Sequence, residues 1–298
     1  MSAPPTVSVV LIFLDAEPFL DQAIRSVRAQ SLGDWELLLV DDGSRDASGA
    51  TARRHAAEEP GRIRYLEHEG RVNLGMSASR NLGIVHASGR YVTFLDADDV
   101  LLPDALRTLT TLLEREPRAA MAYGPVEYWY RWAGAASRRA DFVQRLGVPT
   151  GVLLEPPHLL LAFLRRRAAA PSGMIVRAGV LRRVGGFVEA FRGMYEDQAF
   201  CAKLCLAHPV VTTGTCSYRY RQHPASSSAA ADRSGEHDFG RRAFLEWLAG
   251  YLDGQGVQDG PVREALRREL WWCDHPVLSR LARRVRRTVR KLVPRASV

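Results

Sequence analysis

Asp96, Asp98 and Asp99 set three carboxylates within four positions, directly after the apolar run Tyr91–Leu95. Like charges packed so closely repel one another and lose solvation if buried, so a cation belongs beside them. Carboxylate oxygens suit a hard divalent ion such as Mg²⁺ or Mn²⁺, which completes its shell with water and phosphate oxygens. The same acids also suit a solvated turn into a helix near Pro103, whose N-terminal dipole favours negative charge. Two further acid pairs stand apart. Asp41-Asp42 closes the apolar run Trp35–Val40, and Glu196-Asp197 opens a helical stretch ending at Ala207. With Gly43 the first pair also fits an Asx-type turn, and acids in a first helical turn commonly serve as cap residues.

The apolar pattern says how these acids are held. Val7–Leu14, Trp35–Val40, Ile63–Leu66, Tyr91–Leu95 and Ala119–Tyr123 are short runs that read as buried strands. Helical stretches from Pro18 toward Gly33, up to Glu59, over Ser77–Ala87 and over Pro103–Glu116 separate them. Such alternation predicts a parallel α/β sheet, in which ligands bind at the carboxyl ends of the strands. Asp41-Asp42 and Asp96–Asp99 both fall at those ends. Beyond Tyr130 the alternation fails, and Arg131–Pro149 reads as an inserted loop or flap. Helices are expected over His158–Arg167, Ala178–Val184, Glu196–Ala207, Glu236–Leu252 and Val262–Trp272. Strand character is expected over Ser172–Val176 and Val210–Tyr220, and a polar loop over Gln222–Ser234.

The chain has 298 residues, enough for a full core, with 46% hydrophobic and 25% charged residues, which excludes wholesale disorder. Its net charge of +8 is local, because Leu278–Val298 holds eight basic residues and no acid. The remainder balances 33 basic against 33 acidic residues, so the body carries no nucleic-acid-binding charge. Leu278, Leu281, Ala282, Val285, Val289 and Leu292 recur at helical steps among the arginines, predicting a basic amphipathic helix over 277–293. Such a helix suits an anionic membrane surface, the reading its Arg density favours, or docking on the body or a partner. Four cysteines do not make a disulfide scaffold, and Cys201 and Cys205 are expected as core thiols although they share helical spacing with His208. No basic leader precedes the first strand and no stretch reaches the ~18 apolar residues of a membrane span, so a cytoplasmic protein is expected. Neither a G-x-G-x-x-G after a strand nor a P-loop lysine nor a G-x-S-x-G elbow is present.

Val7-Ser-Val-Val-Leu-Ile12, Val40-Asp-Asp-Gly-Ser44, Asn73-x-Gly75, Ala78-Ser-Arg80-Asn81-x-Gly83 and Ala87-Ser-Gly-Arg-Tyr91 form an ordered set. Asp96-Ala-Asp-Asp99, Ser172-Gly-Met174 and Tyr195-Glu-Asp197 continue it. In order and spacing the set resembles a family-2 glycosyltransferase, from about Val7 to His223. The resemblance implies an α/β fold of GT-A type, the Rossmann-like nucleotide-diphospho-sugar transferase fold, with a mixed, mainly parallel sheet flanked by helices. It also implies a nucleotide-sugar donor (uridine diphosphate favoured), Mn²⁺ or Mg²⁺, and transfer to an acceptor hydroxyl with inversion. By position, Asp42, with Asp41, resembles the carboxylate that meets the nucleotide base, and Leu14 and Asp15 fall in the base-contacting segment. Arg80 and Arg221 resemble residues that reach the diphosphate. Asp96, Ala97, Asp98 and Asp99 form the metal motif, with Asp98 the direct ligand and His223 a possible addition. Asp197 resembles the general base, Glu196 and the Gly173-Met174 turn the acceptor side.

Residues 1–234 are thus expected to form the transferase domain, with a nucleotide-sugar half to about 125 and an acceptor half over 126–234. A helical extension over 235–298 follows. The chain departs from the family where Ile12-Phe13-Leu14-Asp15 replaces the usual aromatic-Asn ending of the first strand. It also lacks the Gln-x-x-Arg-Trp motif of processive members, which implies addition of one sugar at a time. A glycan, a lipid-linked saccharide or a small molecule would serve as acceptor. A nucleotidyltransferase would want a Gly-rich basic loop after the first strand, and Ile12–Glu17 has neither Gly nor Lys/Arg. A catalytically inactive nucleotide-sugar-binding partner protein is the remaining alternative, and the intact acids at 96, 98, 99 and 197 argue against it.

Overall fold

The computed structural model describes residues 4–134, 139–168, 171–234 and 236–278. It begins with strand and helix in alternation: β1 (Val7–Phe13), α1 (Glu17–Arg28), β2 (Trp35–Asp41), α2 (Ser48–Glu58), β3 (Ile63–Glu67), α3 (Met76–His86) and β4 (Tyr91–Asp96). Next come β5 (Val100–Leu101), α4 (Ala105–Arg115), β6 (Met121–Tyr123), β7 (Val126–Trp129), β8 (Phe142–Val143) and β9 (Leu153–Leu154). The second half continues with α5 (His158–Leu164), β10 (Ile175–Arg177), α6 (Ala178–Arg183), α7 (Glu196–Ala207), β11 (Val210–Thr212), β12 (Tyr218–Arg221) and α8 (Ser227–Ser234).

The main sheet has the order β3-β2-β1-β4-β10-β6-β11-β9. β3, β2, β1 and β4 run parallel, while β10 lies antiparallel between β4 and β6. Every residue of β1 and β2 is buried, as a parallel sheet covered on both faces requires. β2 and β3 are added on one side of β1 and β4 on the other, so a crevice opens at the carboxyl ends there. Helix α3 lies close on that strand. A Cβ at Gly83 would stand 2.3 Å from Val10 Cγ1, so only glycine permits the approach. A second sheet, β5-β12-β7-β8, is built from strands of two to four residues.

At the amino ends of the strands, Glu36 Oε1 accepts from Ser8 Oγ (2.5 Å), Ser88 N (2.7 Å) and Ser88 Oγ (2.7 Å). Gly89 N donates to Ser8 Oγ at 2.8 Å. The Ala87-Ser-Gly motif therefore seals the end of the sheet opposite the acids.

Two sequence expectations change. Val210–Tyr220 divides into β11 and β12, which belong to different sheets. The loop expected over Gln222–Ser234 contains α8, whose first turn is capped by Ser226 Oγ accepting from Ala229 N at 3.2 Å. Cys201 and Cys205 lie buried in α7, where burial pushes both thiols up.

The chain divides into two compact units, Met1–Ser234 and Gly235–Val298. In the second, α9 (Glu236–Gly254) pairs with α10 (Pro261–Asp274), and Arg241 meets Glu269 across them at 3.0 Å. The basic helix expected over 277–293 lies, from residue 279 onward, outside the described residues. Among the described residues, no helix is long and apolar enough to cross a membrane.

Candidate active site

Parallel register brings the acid pairs together. Phe13 of β1 aligns with Asp41 of β2, and Ile12 aligns with Asp96 of β4, so the acids end the two strands flanking β1. Asp99 N donates to Asp96 O at 3.0 Å and closes Asp96-Ala97-Asp98-Asp99 into a turn, with Ala97 buried in it. The three carboxylates then diverge. Asp96 and Asp98 remain 38% and 26% exposed, whereas Asp99 is 1% exposed. Asp99 accepts from Tyr218 Oη at 2.6 Å and from Arg221 N at 2.8 Å. Burial, then the charges of Asp98 and Asp96, push its carboxyl well above the usual range. With both oxygens engaged, Asp99 ties β12 to the turn.

Helix α3 links this turn to the other half of the site. Arg80, buried on α3, donates to Asp96 Oδ1 at 2.7 Å and to Glu196 Oε1 at 3.2 Å. Burial opposes its charge, but Asp96 and Glu196 outweigh that and hold the guanidinium protonated. Arg80, expected to reach the diphosphate, here spans two carboxylates. Other α3 residues grip the segment ahead of α7. Ser77 Oγ donates to Phe191 O at 2.6 Å, Asn81 Nδ2 to Phe187 O at 3.0 Å, and Phe187 N to Asn81 Oδ1 at 2.8 Å. Tyr195 then enters α7 with a left-handed φ of 66°, strain of the kind found where a neighbouring side chain must be aimed. Glu196 is buried and Asp197 half-buried at the start of α7. Burial and then the Asp197 charge push Glu196 up to about 7, and burial likewise raises Asp197.

On the nucleotide side, Asp41 accepts from Gly43 N, Ser44 N and Tyr65 Oη at 3.1, 2.7 and 2.9 Å, so it builds the turn itself. Asp42 Oδ1 accepts from Leu74 N at 2.9 Å, and Gly75 N is shared between Oδ1 and Oδ2 at 3.1 and 3.0 Å, with His68 Nε2 3.6 Å from Oδ1. A carboxylate oxygen carries two lone pairs, so Asp42 retains capacity for an imide N–H. Leu14 is exposed at the crevice. Asp15 holds the neighbouring loop by accepting from Arg45 N at 2.7 Å. Gly173 has a φ of +61°, and a Cβ there would lie 2.7 Å from the Tyr218 ring. Met174 is buried, with its carbonyl accepting from Thr93 Oγ1 at 2.7 Å, so the Gly-Met turn presents backbone rather than the Met side chain.

The donor set fits a divalent cation. Asp96 Oδ2 and Asp98 Oδ1 accept no hydrogen bond among the described residues, and His223 Nε2 stands 3.0 Å from Asp98 Oδ2. Among the described residues no three His, Cys, Asp or Glu side chains form a cage for a metal ion. Two carboxylates without a cage match an ion that takes its remaining ligands from phosphate and water.

Arg221, expected over the diphosphate, turns inward: its Nε donates to Asp98 O at 2.5 Å and a terminal nitrogen to Gln22 Oε1 at 2.7 Å. Phe19, Trp129 and Trp132 surround it at 4.9, 4.6 and 5.0 Å. Sequence reasoning missed Gln22, these rings and His68. Trp132 alone carried a signal, as an aromatic in a stretch otherwise rich in Arg, Ala and Gly.

The family model described as "Glycosyl transferase family 2" matches residues 8–160. The O-antigen biosynthesis protein RfbC of Myxococcus xanthus is 30% identical over 257 residues, covering 86% of this chain and 19% of that protein. The chain spans 19% to 31% of the length of the first three curated relatives it matches. Among solved structures, S. aureus TarS 1-349 in complex with UDP has a TM-score of 0.58 at 17% identity, covering 80% of this chain and 64% of that one. The mannosyltransferase PcManGT from Pyrobaculum calidifontis, in complex with GDP-Man and Mn²⁺, has a TM-score of 0.60 at 16% identity, covering 91% and 70%. The fold is therefore GT-A.

Proposed function

Because the chain belongs to glycosyl transferase family 2, we propose that it transfers a hexose or related sugar from a nucleotide-diphosphate donor to an acceptor hydroxyl, inverting the anomeric carbon. The observation that carries this reading is the Arg80 bridge. One buried cation joins Asp96, at the end of a sheet strand, to Glu196, beside Asp197 on α7. Donor-side and acceptor-side acids thus share one crevice.

Asp42 and the backbone around Leu14 receive the base. Asp96 and Asp98 would hold Mn²⁺ or Mg²⁺, which when bound neutralises charge on the diphosphate as the nucleotide departs. Asp197 takes the proton from the acceptor hydroxyl as its oxygen attacks opposite the leaving phosphate, and Glu196 orients the acceptor. A uridine diphosphate sugar is the assigned donor, supported by the UDP complex of TarS; the GDP-Man complex of PcManGT keeps guanosine in the test. The acceptor belongs to surface polysaccharide, glycolipid or secondary-metabolite synthesis, as the O-antigen relative suggests. The Arg-rich segment brings the enzyme to the inner face of a membrane. Residues 1–234 hold the whole transferase domain.

A thermal-shift screen of nucleotides and nucleotide sugars, with Mn²⁺ and with EDTA, tests the donor. Stabilisation by UDP sugars only with Mn²⁺ is expected. A shift with no nucleotide diphosphate under either condition overturns the reading.

A further inference from the structure

We propose that Arg221 is a positioning residue that sets the Asp98 carboxylate, through a cage in which Gln22 and Trp132 are the working parts. The proposal rests on the cation site assigned above to Asp96 and Asp98, and concerns how this chain holds those residues ready.

Arg221 is 2% exposed and makes no carboxylate ion pair with its guanidinium among the described residues. A buried cation so placed needs compensation of another kind. The three ring faces supply part of it, and the paired acceptors Asp98 O and Gln22 Oε1 supply directional hydrogen bonds. Asp99 and Asp98 lie next to it in space and favour its charge, although burial outweighs them. The cage is itself anchored: Trp132 Nε1 donates to Gln222 O, 2.9 Å away, and its ring packs edge-on to Phe19 at 5.5 Å.

The consequence falls on the acidic turn. Arg221 grips Asp98 by its carbonyl, its own backbone N–H grips Asp99, and His223 two residues on meets the Asp98 carboxylate. Asp98 is therefore held on both sides by β12 and the loop after it, with its remaining oxygen left for a ligand. A positive charge behind three crowded acids also lowers their mutual repulsion before any metal arrives. Because α1 carries Gln22, the helix following β1 takes part in fixing a turn that follows β4. Lysine cannot replace arginine here, since one ammonium cannot serve both acceptors while stacking between rings.

The test uses the full chain as wild type, Arg221→Lys, Gln22→Met and Trp132→Leu. Hydrogen–deuterium exchange over residues 95–101 reads the turn, and calorimetric titration with UDP or GDP, in Mn²⁺ and in EDTA, reads the site. Each variant should exchange the turn amides several-fold faster, while the amides of β1 and β2 exchange as in wild type. Mn²⁺-dependent nucleotide affinity should fall about tenfold in Arg221→Lys and about threefold in Gln22→Met. Unchanged exchange in both Arg221→Lys and Gln22→Met overturns the proposal. So does loss in Arg221→Lys of the nucleotide binding that persists in EDTA, which would make Arg221 a direct phosphate ligand. A wild type with no Mn²⁺-dependent binding overturns the cation site instead, while the exchange data still decide the positioning role.

Discussion

Glu196 and Asp197 carry the pH dependence of the site. Burial and then the Asp197 charge raise Glu196 to about 7, and burial, with the Asp96 charge, raises Asp197. A base must be ionised to accept a proton, so turnover should fall as pH drops through the raised range of Asp197, with the acid limb above that of an ordinary aspartate. A kcat–pH profile whose acid limb lies at or below the ordinary aspartate range would contradict the assignment. Asp197→Asn removes the base but keeps shape and the Gln198 N–H bond, which meets the side-chain oxygen at 2.6 Å. It should lower kcat by about 10²- to 10⁴-fold while leaving donor affinity intact; near-wild-type transfer to the true acceptor would remove Asp197 from the mechanism. Asp98→Ala acts on the other half. It should abolish the Mn²⁺-dependent part of nucleotide-diphosphate binding, and identical affinities in Mn²⁺ and EDTA for wild type and variant would sink the metal role.

Helix α3 turns the Ala78-Ser-Arg80-Asn81-x-Gly83 motif into a mechanical part. Its hydroxyl and amide side chains hold residues 187–191, its arginine binds both acids, and its glycine brings it onto β1. Gly83→Ala should force α3 away from Val10 and cost about 1–3 kcal/mol, and adding Val10→Ala should recover part of that loss. Urea denaturation of the single and double variants measures both, and additive losses would show that the close approach is unimportant. Strands β1, β2 and β4 were legible in the sequence because strands buried on both faces must be largely apolar. Asp41-Asp42 and Asp96–Asp99 stood out because each ends such a run. What was not legible depended on distant partners. β5, β8 and β9 have two residues each, too few to carry a period, and exist only because β12, β7 and β11 lie beside them. For Asp99 and Arg221 the residue type was legible but the direction was not, since neighbours on β12 and α1 decide whether a side chain faces ligand or core.

Charge is divided along the chain as sharply as structure is. A neutral body is followed by a segment holding all of the net +8, beginning just after the exposed Val277 and Leu278. Such a division has little use in catalysis on a small donor, but it suits an enzyme whose acceptor is fixed to an anionic surface. Each basic residue close to such a surface contributes about 1 kcal/mol, and apolar side chains at helical steps add burial in the headgroup region. The attraction is electrostatic at long range, so salt should weaken it over a Debye length of about 10 Å at 0.1 M. The full chain should therefore sediment with vesicles containing anionic phospholipid, be released by added salt, and remain in the supernatant with zwitterionic vesicles. A chain ending at Pro276 should stay in the supernatant throughout, with donor binding in solution unchanged. Equal sedimentation of the two chains would remove the membrane role. Salt-insensitive sedimentation of the full chain alone would place the affinity in its apolar face rather than its arginines.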